Sequence, residues 1–233
     1  GAVKPGLQPG RAVADGHQQL VVAARQHVLQ AAHPVTQALV PVIAEFSVPQ
    51  EQLLEIIDGM EMDLQQSRYL DFKALSLYCY RVASVVGLLA AEIFGYQDRK
   101  TLKYAHDLGM AFQLTNIIRD VGEDARRGRV YLPMDELKRF EVPVADILNA
   151  RHSDNFRKLM ELQIERAEQF YAQAMSMLPA VDRKTQRPGL VMAAIYRTLL
   201  EEIKNDGCLV LNQRTSLTPI RKLWIAWRTW IKG

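Results

Sequence analysis

The chain has 233 residues, of which 48% are hydrophobic and 24% are charged, and its formal net charge is +3. This length and composition are typical of a globular protein with a sizeable core. The small net charge, without basic residues interleaved with aromatic ones, argues against a nucleic-acid partner. Cys79 and Cys208 supply neither a disulfide framework nor a zinc-binding spacing, so we expect a reducing, cytoplasmic location.

The sequence carries no obvious membrane-spanning or targeting segment. No uninterrupted apolar run is long enough to cross a bilayer, and no cleavable signal peptide is present. We therefore expect at most peripheral attachment, at the inner face of a membrane.

Helical spacing of apolar residues extends from residue 33 to the end of the chain. Residues 1–32 form an atypical leader, in which the Gly-, Pro- and Ala-rich start is predicted to be disordered and residues 17–32 fit a short helix. Further helices are predicted at 35–46, 50–63, 72–94, 99–121, 134–140, 154–177, 188–203 and 217–231. No segment alternates with the period of a strand, so residues 33–233 are predicted to form one all-α domain.

The strongest functional signal is QLTNIIRDVGED at residues 113–124. Gln113, Asn116, Asp120 and Asp124 recur at steps of three or four, so on a helix turning about 100° per residue they share one face. Two carboxylates and two carboxamides make a row of oxygen ligands, which suits Mg²⁺ together with substrate phosphates. A solvated surface stripe would mix Lys, Glu and Arg freely, so we favour a site for Mg²⁺ and a diphosphate.

Arginines lie beside and within this row. Arg126, Arg127 and Arg129 belong to the following segment ARRGRVYLP, and Arg119 lies inside the row. A guanidinium group matches phosphate oxygens, which suits a strongly anionic substrate. For Arg126 and Arg127 taken singly, an exposed loop position is the preferred interpretation.

A second helix, predicted around residues 78–91, is rich in small residues. Ala83, Ser84 and Gly87 are spaced so that a neighbouring helix or a long apolar ligand can approach closely, and the spacing leaves both interpretations open. Tyr78 and Tyr80 point to different faces, so at most one of them can reach a cavity shared with the carboxylates.

The C-terminal segment combines tryptophans with basic residues. Its apolar stripe contains Ile220, Leu223, Trp224, Trp227 and Ile231, and its flanks contain Arg221, Lys222, Arg228 and Lys232. This pattern suits a helix at a membrane interface, and it equally suits a terminal helix that docks its tryptophans into the core.

Three stretches identify a family resemblance. YCYRVASVVG at 78–87, QLTNIIRDVGEDARRGRVYLP at 113–133 and IYRTLLEEI at 195–203 resemble the squalene/phytoene synthase family. DGMEMDL at 58–64 and RKLWIAW at 221–227 are most similar to bacterial presqualene diphosphate synthases of hopanoid biosynthesis. The resemblance runs from about residue 33 to the end of the chain.

The resemblance implies a fold and a reaction. The fold would be an all-α isoprenoid-synthase domain around a central apolar cavity. The reaction would be a Mg²⁺-dependent head-to-head condensation of two farnesyl diphosphates to presqualene diphosphate. Leaving-group departure requires neutralisation of the diphosphate, and the allylic cation requires a cavity that excludes water. NADPH would be needed only for a reductive second step.

The resemblance also implies site residues. Asp120 and Asp124, helped by Asn116, would bind Mg²⁺, and Tyr78 would lie near the cation. The residues expected to contact the substrate are Val82, Ala83, Gly87, Gln113, Asn116, Arg119, Tyr131, Tyr196 and Arg214.

One family feature is missing from this sequence. Family members carry a first aspartate-rich motif on an early helix, and no such motif precedes Asp58 here. Asp58 and Asp63 would lie about 140° apart on a helix and do not replace it. The chain thus resembles a family member without its N-terminal helices. A catalytically impaired remnant that binds prenyl diphosphate or membrane is one alternative, and a phytoene synthase-type condensation of geranylgeranyl diphosphate is another.

Overall fold

A computed structural model describes residues 34–232, and the predicted leader at 1–32 lies outside the described residues. The chain divides into two compact units, whose described parts are residues 34–66 and 67–232. The first unit contributes helices α1 (Pro34–Glu45) and α2 (Gln50–Gln65). Across residues 34–232 there is no strand, only an isolated bridge between Arg68 and Val130, so the predicted all-α class is confirmed.

The second unit contains the remaining helices. In chain order they are α3 (Phe72–Cys79), a π-helical turn (Tyr80–Ser84), α4 (Val85–Phe94), α5 (Lys100–Arg126), α6 (Met134–Arg139), α7 (Val144–Leu148), α8 (Asp154–Met177), a 3₁₀ turn (Ala180–Asp182), α9 (Arg187–Asn205) and α10 (Pro219–Lys232). Helix α7 was not predicted, because five residues are too few to reveal a helical period.

Helix α5 is the centre of the second unit. It packs against α8, α9 and the run from α3 to α4. Leu114, Ile118 and Val121 are buried on its inner faces, as the spacing predicted. The helix continues five residues beyond the predicted end at Val121 and ends before Gly128, whose positive φ of 76° suits a glycine. Asp124 therefore lies within the helix, in register with Asp120.

The α3–α4 run is long and apolar enough to cross a membrane by length and composition alone. That possibility was not foreseen from the sequence. In the structure the run packs against α5, where the Ser84 hydroxyl donates to the His106 carbonyl oxygen at 2.9 Å. A Cβ built at Gly109 of α5 would lie 2.6 Å from the Ser84 Cα, so the backbones of the two helices touch. One side of the run is therefore packed against α5.

Helix α8 starts as its sequence predicted. Ser153 is the N-cap, because its Oγ accepts a hydrogen bond of 3.0 Å from the Phe156 backbone N–H.

Candidate active site

The predicted row of polar groups lies along one side of α5. Gln113, Asn116, Asp120 and Asp124 are all partly accessible, while the residues between them are largely buried. The Asn116 Nδ2 donates to Gln113 Oε1 at 3.5 Å, so the two carboxamides face each other on adjacent turns. The row begins with amides and ends with carboxylates.

Two arginines bind Asp120 in the structure. Arg119 makes a two-pronged contact, with its Nε donating to Asp120 Oδ1 at 2.8 Å and its Nη2 donating to Oδ2. The Arg214 Nε donates to the same Oδ1 at 2.7 Å and lies 3.2 Å from Glu123 Oε2. Burial opposes ionisation of Asp120, but these hydrogen bonds outweigh burial and lower the pKa of its carboxyl. Arg119 and Arg214, predicted from separate parts of the sequence, thus meet at one carboxylate.

Asn116 and Asp124 are less well satisfied than Asp120. The Asn116 Oδ1 is buried and has no hydrogen-bond partner within the described part of the chain. Burial, together with the negative charge of Asp120, raises the pKa of Asp124 to about 6. The two groups lie on the same face of α5, and a bound cation would relieve an orphaned amide oxygen or a carboxyl that resists ionisation.

These oxygen donors fit Mg²⁺. Within residues 34–232 no cluster of three or more His, Cys, Asp or Glu side chains is arranged to hold a metal. A site built on Asp120, Asp124 and Asn116 would therefore need ligands from outside this cluster. Mg²⁺ binds in this way, since it uses one or two carboxylates and fills its shell with water and substrate phosphates.

An apolar cavity of about 290 Å³ adjoins the amide end of the row. Gln113, Asn116 and Tyr196 form its polar end, and Phe112 packs on Tyr196 with ring centroids 4.9 Å apart. The rest of the wall comes from the π-helical turn, α4, α5, α9 and Gln186. The predicted residues Val82, Ala83 and Gly87 line this wall.

The small residues of the α3–α4 run serve two purposes. A Cβ built at Gly87 would lie 2.6 Å from the Ala105 carbonyl oxygen, so Gly87 allows α4 to touch α5. Gly87 and Ala83 also border the cavity, whereas Ser84 is buried against α5. Close helix packing and an open channel, which the spacing left as alternatives, both occur here.

Tyr78 and Tyr131 lie in a cluster apart from the cavity wall. Their rings stack at 5.4 Å, and Tyr69 contacts both at 5.5 and 5.7 Å. Tyr131 also borders a small recess that contains Asp124. Tyr80 points elsewhere and contacts His106. The structure therefore connects Tyr131 with the carboxylate end of the row, while neither Tyr78 nor Tyr80 lines the apolar cavity.

The glycine of the DVGED stretch positions Arg214. A Cβ built at Gly122 would lie 2.3 Å from the Leu211 carbonyl oxygen, and the Gly122 N–H donates to the Val210 carbonyl at 3.2 Å. The loop between α9 and α10 therefore rests directly on α5, at a glycine two residues from Asp120. Sequence reasoning missed this role, because only the tertiary contact shows why the helix needs a glycine there.

Other cavity residues were also missed. Phe112 and Leu108 of α5, and Gly189 and Met192 of α9, line the cavity. The position of α5 against α8 is also stabilised by a hydrogen bond of 3.0 Å between the Thr115 and Tyr171 hydroxyls. The helical spacing of Leu108, Phe112 and Asn116 could have identified Leu108 and Phe112 as cavity residues, since residues four apart share one face of a helix.

Comparison with known proteins identifies the family. The model of the squalene/phytoene synthase family matches residues 4–221. The chain belongs to the squalene/phytoene synthase family. The matched range begins within residues 1–32, the segment predicted to be an atypical leader.

Several curated family members are similar to the chain. It is 38% identical over 203 residues to a phytoene synthase of Arthrospira platensis, covering 82% of this chain and 66% of that protein. It is 40% identical over 192 residues to phytoene synthase 3 of Zea mays, covering 80% and 45%. It is 35% identical over 208 residues to 15-cis-phytoene synthase of Synechocystis, covering 84% and 62%. The chain thus spans about half to two thirds of the length of these relatives.

Solved structures of similar fold support the isoprenoid-synthase assignment. A dehydrosqualene synthase crystallised with a ligand has a TM-score of 0.83 and 26% identity, covering 92% of this chain and 78% of that one. A squalene synthase of Alicyclobacillus acidocaldarius has a TM-score of 0.70 and 24% identity, covering 88% and 77%. The predicted helical fold of the squalene/phytoene synthase family is therefore confirmed.

Proposed function

We propose that this chain carries a Mg²⁺-dependent prenyltransferase site that condenses two prenyl diphosphates head to head. One observation supports this most directly: the apolar cavity ends at Asn116 and Gln113, on the same face of α5 as Asp120 and Asp124. A prenyl diphosphate has a hydrocarbon chain joined to a diphosphate, and this face offers an apolar channel joined to a row of oxygen ligands and arginines.

Each group of site residues would have the role that its chemistry suits. Val82, Ala83 and Gly87 would enclose the hydrocarbon chain, because their small side chains leave room beside α5. Asp120, Asp124 and Asn116 would hold Mg²⁺, which would neutralise the charge that develops on the leaving diphosphate. Arg119 and Arg214 would bind diphosphate oxygens in addition.

The arginine contacts suggest how the site changes on binding. Arg119 and Arg214 both bind Asp120 in the structure, and their three hydrogen bonds occupy most of the acceptor positions of its carboxylate. We infer that substrate binding transfers the two guanidinium groups from Asp120 to the diphosphate, which frees the carboxylate. Arg214 is well suited to move, since its side chain is half exposed and lies in a loop.

The cavity wall suits a short-lived allylic cation. Phe112 and Tyr196 present aromatic rings next to Asn116, and aromatic faces attract a positive charge within about 6 Å. The apolar wall excludes water, which would otherwise capture the cation. Tyr78 and Tyr131 stay proposed site residues on the strength of the family resemblance, through the recess that Tyr131 shares with Asp124.

Farnesyl diphosphate is the first candidate substrate and presqualene diphosphate the first candidate product. The support is the sequence resemblance to presqualene diphosphate synthases and the fold similarity to a dehydrosqualene synthase. Geranylgeranyl diphosphate is the second candidate and has equal support, because the curated relatives described above are named phytoene synthases. NADPH would be required only if presqualene diphosphate were reduced further.

The test is an incubation with Mg²⁺ and either farnesyl or geranylgeranyl diphosphate, with the products separated by mass. Presqualene diphosphate from the first substrate, or phytoene from the second, would establish the reaction and select the chain length. Omitting Mg²⁺ should abolish product in either case. Binding of an unreactive diphosphate analogue without any product would instead support the impaired, substrate-binding alternative.

A further inference from the structure

Helix α10 presents a continuous apolar stripe to solvent. Trp224, Trp227 and Trp230 are 54%, 63% and 52% exposed. Three large aliphatic residues extend the stripe: Ile220, Leu223 and Ile231. At about 100° per residue, all six side chains fall within roughly 120° of the helix circumference. Of the two interpretations that the sequence left open, the one in which the tryptophans dock into the core does not agree with this exposure.

The helix is held to the protein by its opposite side. Ile225 is the buried residue of α10 and lies about 160° around the helix from Trp227. Arg221 anchors the same side, where its Nη2 donates to Glu202 Oε1 of α9 at 2.6 Å. The attachment to α9 thus fixes the orientation of α10 and points its apolar stripe away from the protein.

A cationic groove of about 510 Å³ runs along one flank of the stripe. Arg183, Arg221 and Arg228 line it together with Thr198 and Thr229. Arg221 and Arg228 lie roughly 100–120° around the helix from Trp227, at the edge of the apolar stripe. In residues 34–232, neither Arg183 nor Arg228 forms an ion pair with a carboxylate, so both charges are available to an anion.

Basic and aromatic groups are paired at both edges of the stripe, which Trp224 and Trp230 form. The Arg228 guanidinium lies 5.2 Å from the Trp224 ring centroid, and that of Arg187 lies 5.5 Å from the Trp230 ring centroid. Lys222 lies on the other flank of the stripe and is exposed. Helix α10 contains no acidic residue. Its charges therefore complement an anionic surface on both sides of the stripe.

We propose that α10 binds the surface of an anionic phospholipid bilayer. The tryptophan stripe enters the boundary between headgroups and acyl chains, and the arginine groove receives headgroup phosphates. Helices that have an apolar face flanked by cationic side chains lie in the plane of such an interface. A soluble protein partner would not need the cations on both flanks. The proposal is independent of the prenyltransferase function, since α10 contributes no residue to the apolar cavity.

Intrinsic fluorescence provides a specific probe, because the three tryptophans of the chain all lie in α10. The whole chain is titrated with vesicles of phosphatidylglycerol and phosphatidylcholine in equal parts, and with vesicles of phosphatidylcholine alone. We expect a blue shift of the emission and quenching by brominated acyl chains with the anionic vesicles. The binding should weaken as salt is raised, since the exposed charges are then screened.

Two variants separate the stripe from the groove. Leu223→Glu combined with Trp227→Glu should reduce vesicle binding by roughly tenfold or more, because each change removes apolar burial. Arg183→Gln combined with Arg228→Gln should retain weak binding but lose the preference for anionic vesicles. Leu70→Glu is the matched control, since Leu70 is an exposed leucine outside α10, and it should bind like the unchanged chain.

Two results would overturn the proposal. One is an unchanged emission spectrum with anionic vesicles, which would show that the tryptophans stay in water. The other is a dimer in analytical ultracentrifugation that the stripe variant converts to monomer without any effect of vesicles. That result would assign the stripe to a second copy of the chain.

Discussion

At the scale of single residues, the polar groups in and around the cavity differ in how well their hydrogen-bonding capacity is satisfied. Asp120 is held by two arginines, whereas Asn116 Oδ1 is buried without a partner in the described residues. The Tyr104 hydroxyl, at the apolar side of the cavity, is likewise buried and unpartnered in this part of the chain. An unsatisfied group next to a ligand site indicates binding, whereas one in an apolar wall costs stability.

Tyr104→Phe should therefore stabilise the fold. Removing the buried hydroxyl relieves a desolvation cost of about 1–3 kcal/mol. Chemical denaturation of the two proteins measures the change in the free energy of unfolding.

Tyr171→Phe is the matched control for that experiment. The Tyr171 hydroxyl is also buried, but it shares a 3.0 Å hydrogen bond with Thr115. Its removal should destabilise the protein by about 0.5–1.5 kcal/mol. If both variants changed stability in the same direction, the distinction between a paired and an unpaired hydroxyl would be incorrect.

Asp120→Asn should abolish Mg²⁺-dependent turnover while leaving the helix content intact. The amide loses the charge that would hold the metal and position Arg119 and Arg214, so we expect a fall in rate of about 10²-fold or more. Steady-state product formation and circular dichroism measure the two effects. Glu168→Gln is the control, because Glu168 pairs only with Lys204 at the surface, at 3.2 Å. Full activity in Asp120→Asn would refute the metal assignment.

Tyr78→Phe tests the predicted catalytic residue that lies in the tyrosine cluster and not in the polar row of α5. If its hydroxyl acts near the cation, product formation should slow while substrate affinity changes little, because the stacked ring is retained. Measuring kcat and KM separately distinguishes this from a packing effect. An unchanged rate would limit Tyr78 to packing with Tyr69 and Tyr131.

At the scale of elements, the site depends on contacts between α5 and its neighbours. The α9–α10 loop reaches Asp120 only because Gly122 lets its backbone rest on α5. The α3–α4 run approaches in a similar way at Gly109, and its π-helical turn at Tyr80–Ser84 lies at this contact. Such π-helical turns within helices frequently occur at functional sites.

Gly122→Ala should destabilise the protein and displace Arg214. The added methyl group would lie 2.3 Å from the Leu211 carbonyl oxygen, so the loop must move away from α5. Overpacking of this kind costs about 1–3 kcal/mol. The melting temperature and the affinity for diphosphate should both fall. Arg127→Ala, at the exposed end of the same helix, should change neither by a comparable amount.

At the scale of the whole molecule, substrate and metal should act together on stability. A ligand that binds only the folded state stabilises it by about 2.7 kcal/mol at a hundredfold excess over its Kd. We therefore expect MgCl₂ with inorganic diphosphate to raise the melting temperature more than either alone. Asp124→Asn should remove this combined effect, while Glu168→Gln should keep it. A rise that survives in Asp124→Asn would place the metal elsewhere.

The sequence alone determined the helical class, the row on α5 and the family. These follow from local periodicity and from residue identities, because four polar side chains at steps of three and four must share a face of any helix they form. The same logic identified Ala83 and Gly87 as positions of close approach. It also identified the amphipathic character of α10.

Only the tertiary structure decided how these elements meet. It brought Arg214 to Asp120 across 94 positions of sequence, separated Tyr78 from the apolar cavity and turned the tryptophans of α10 outward. It also explained Gly122 through the loop that rests on it. The physical reason is that periodicity specifies which side chains share a face of one helix. What lies opposite that face depends on packing between segments distant in sequence.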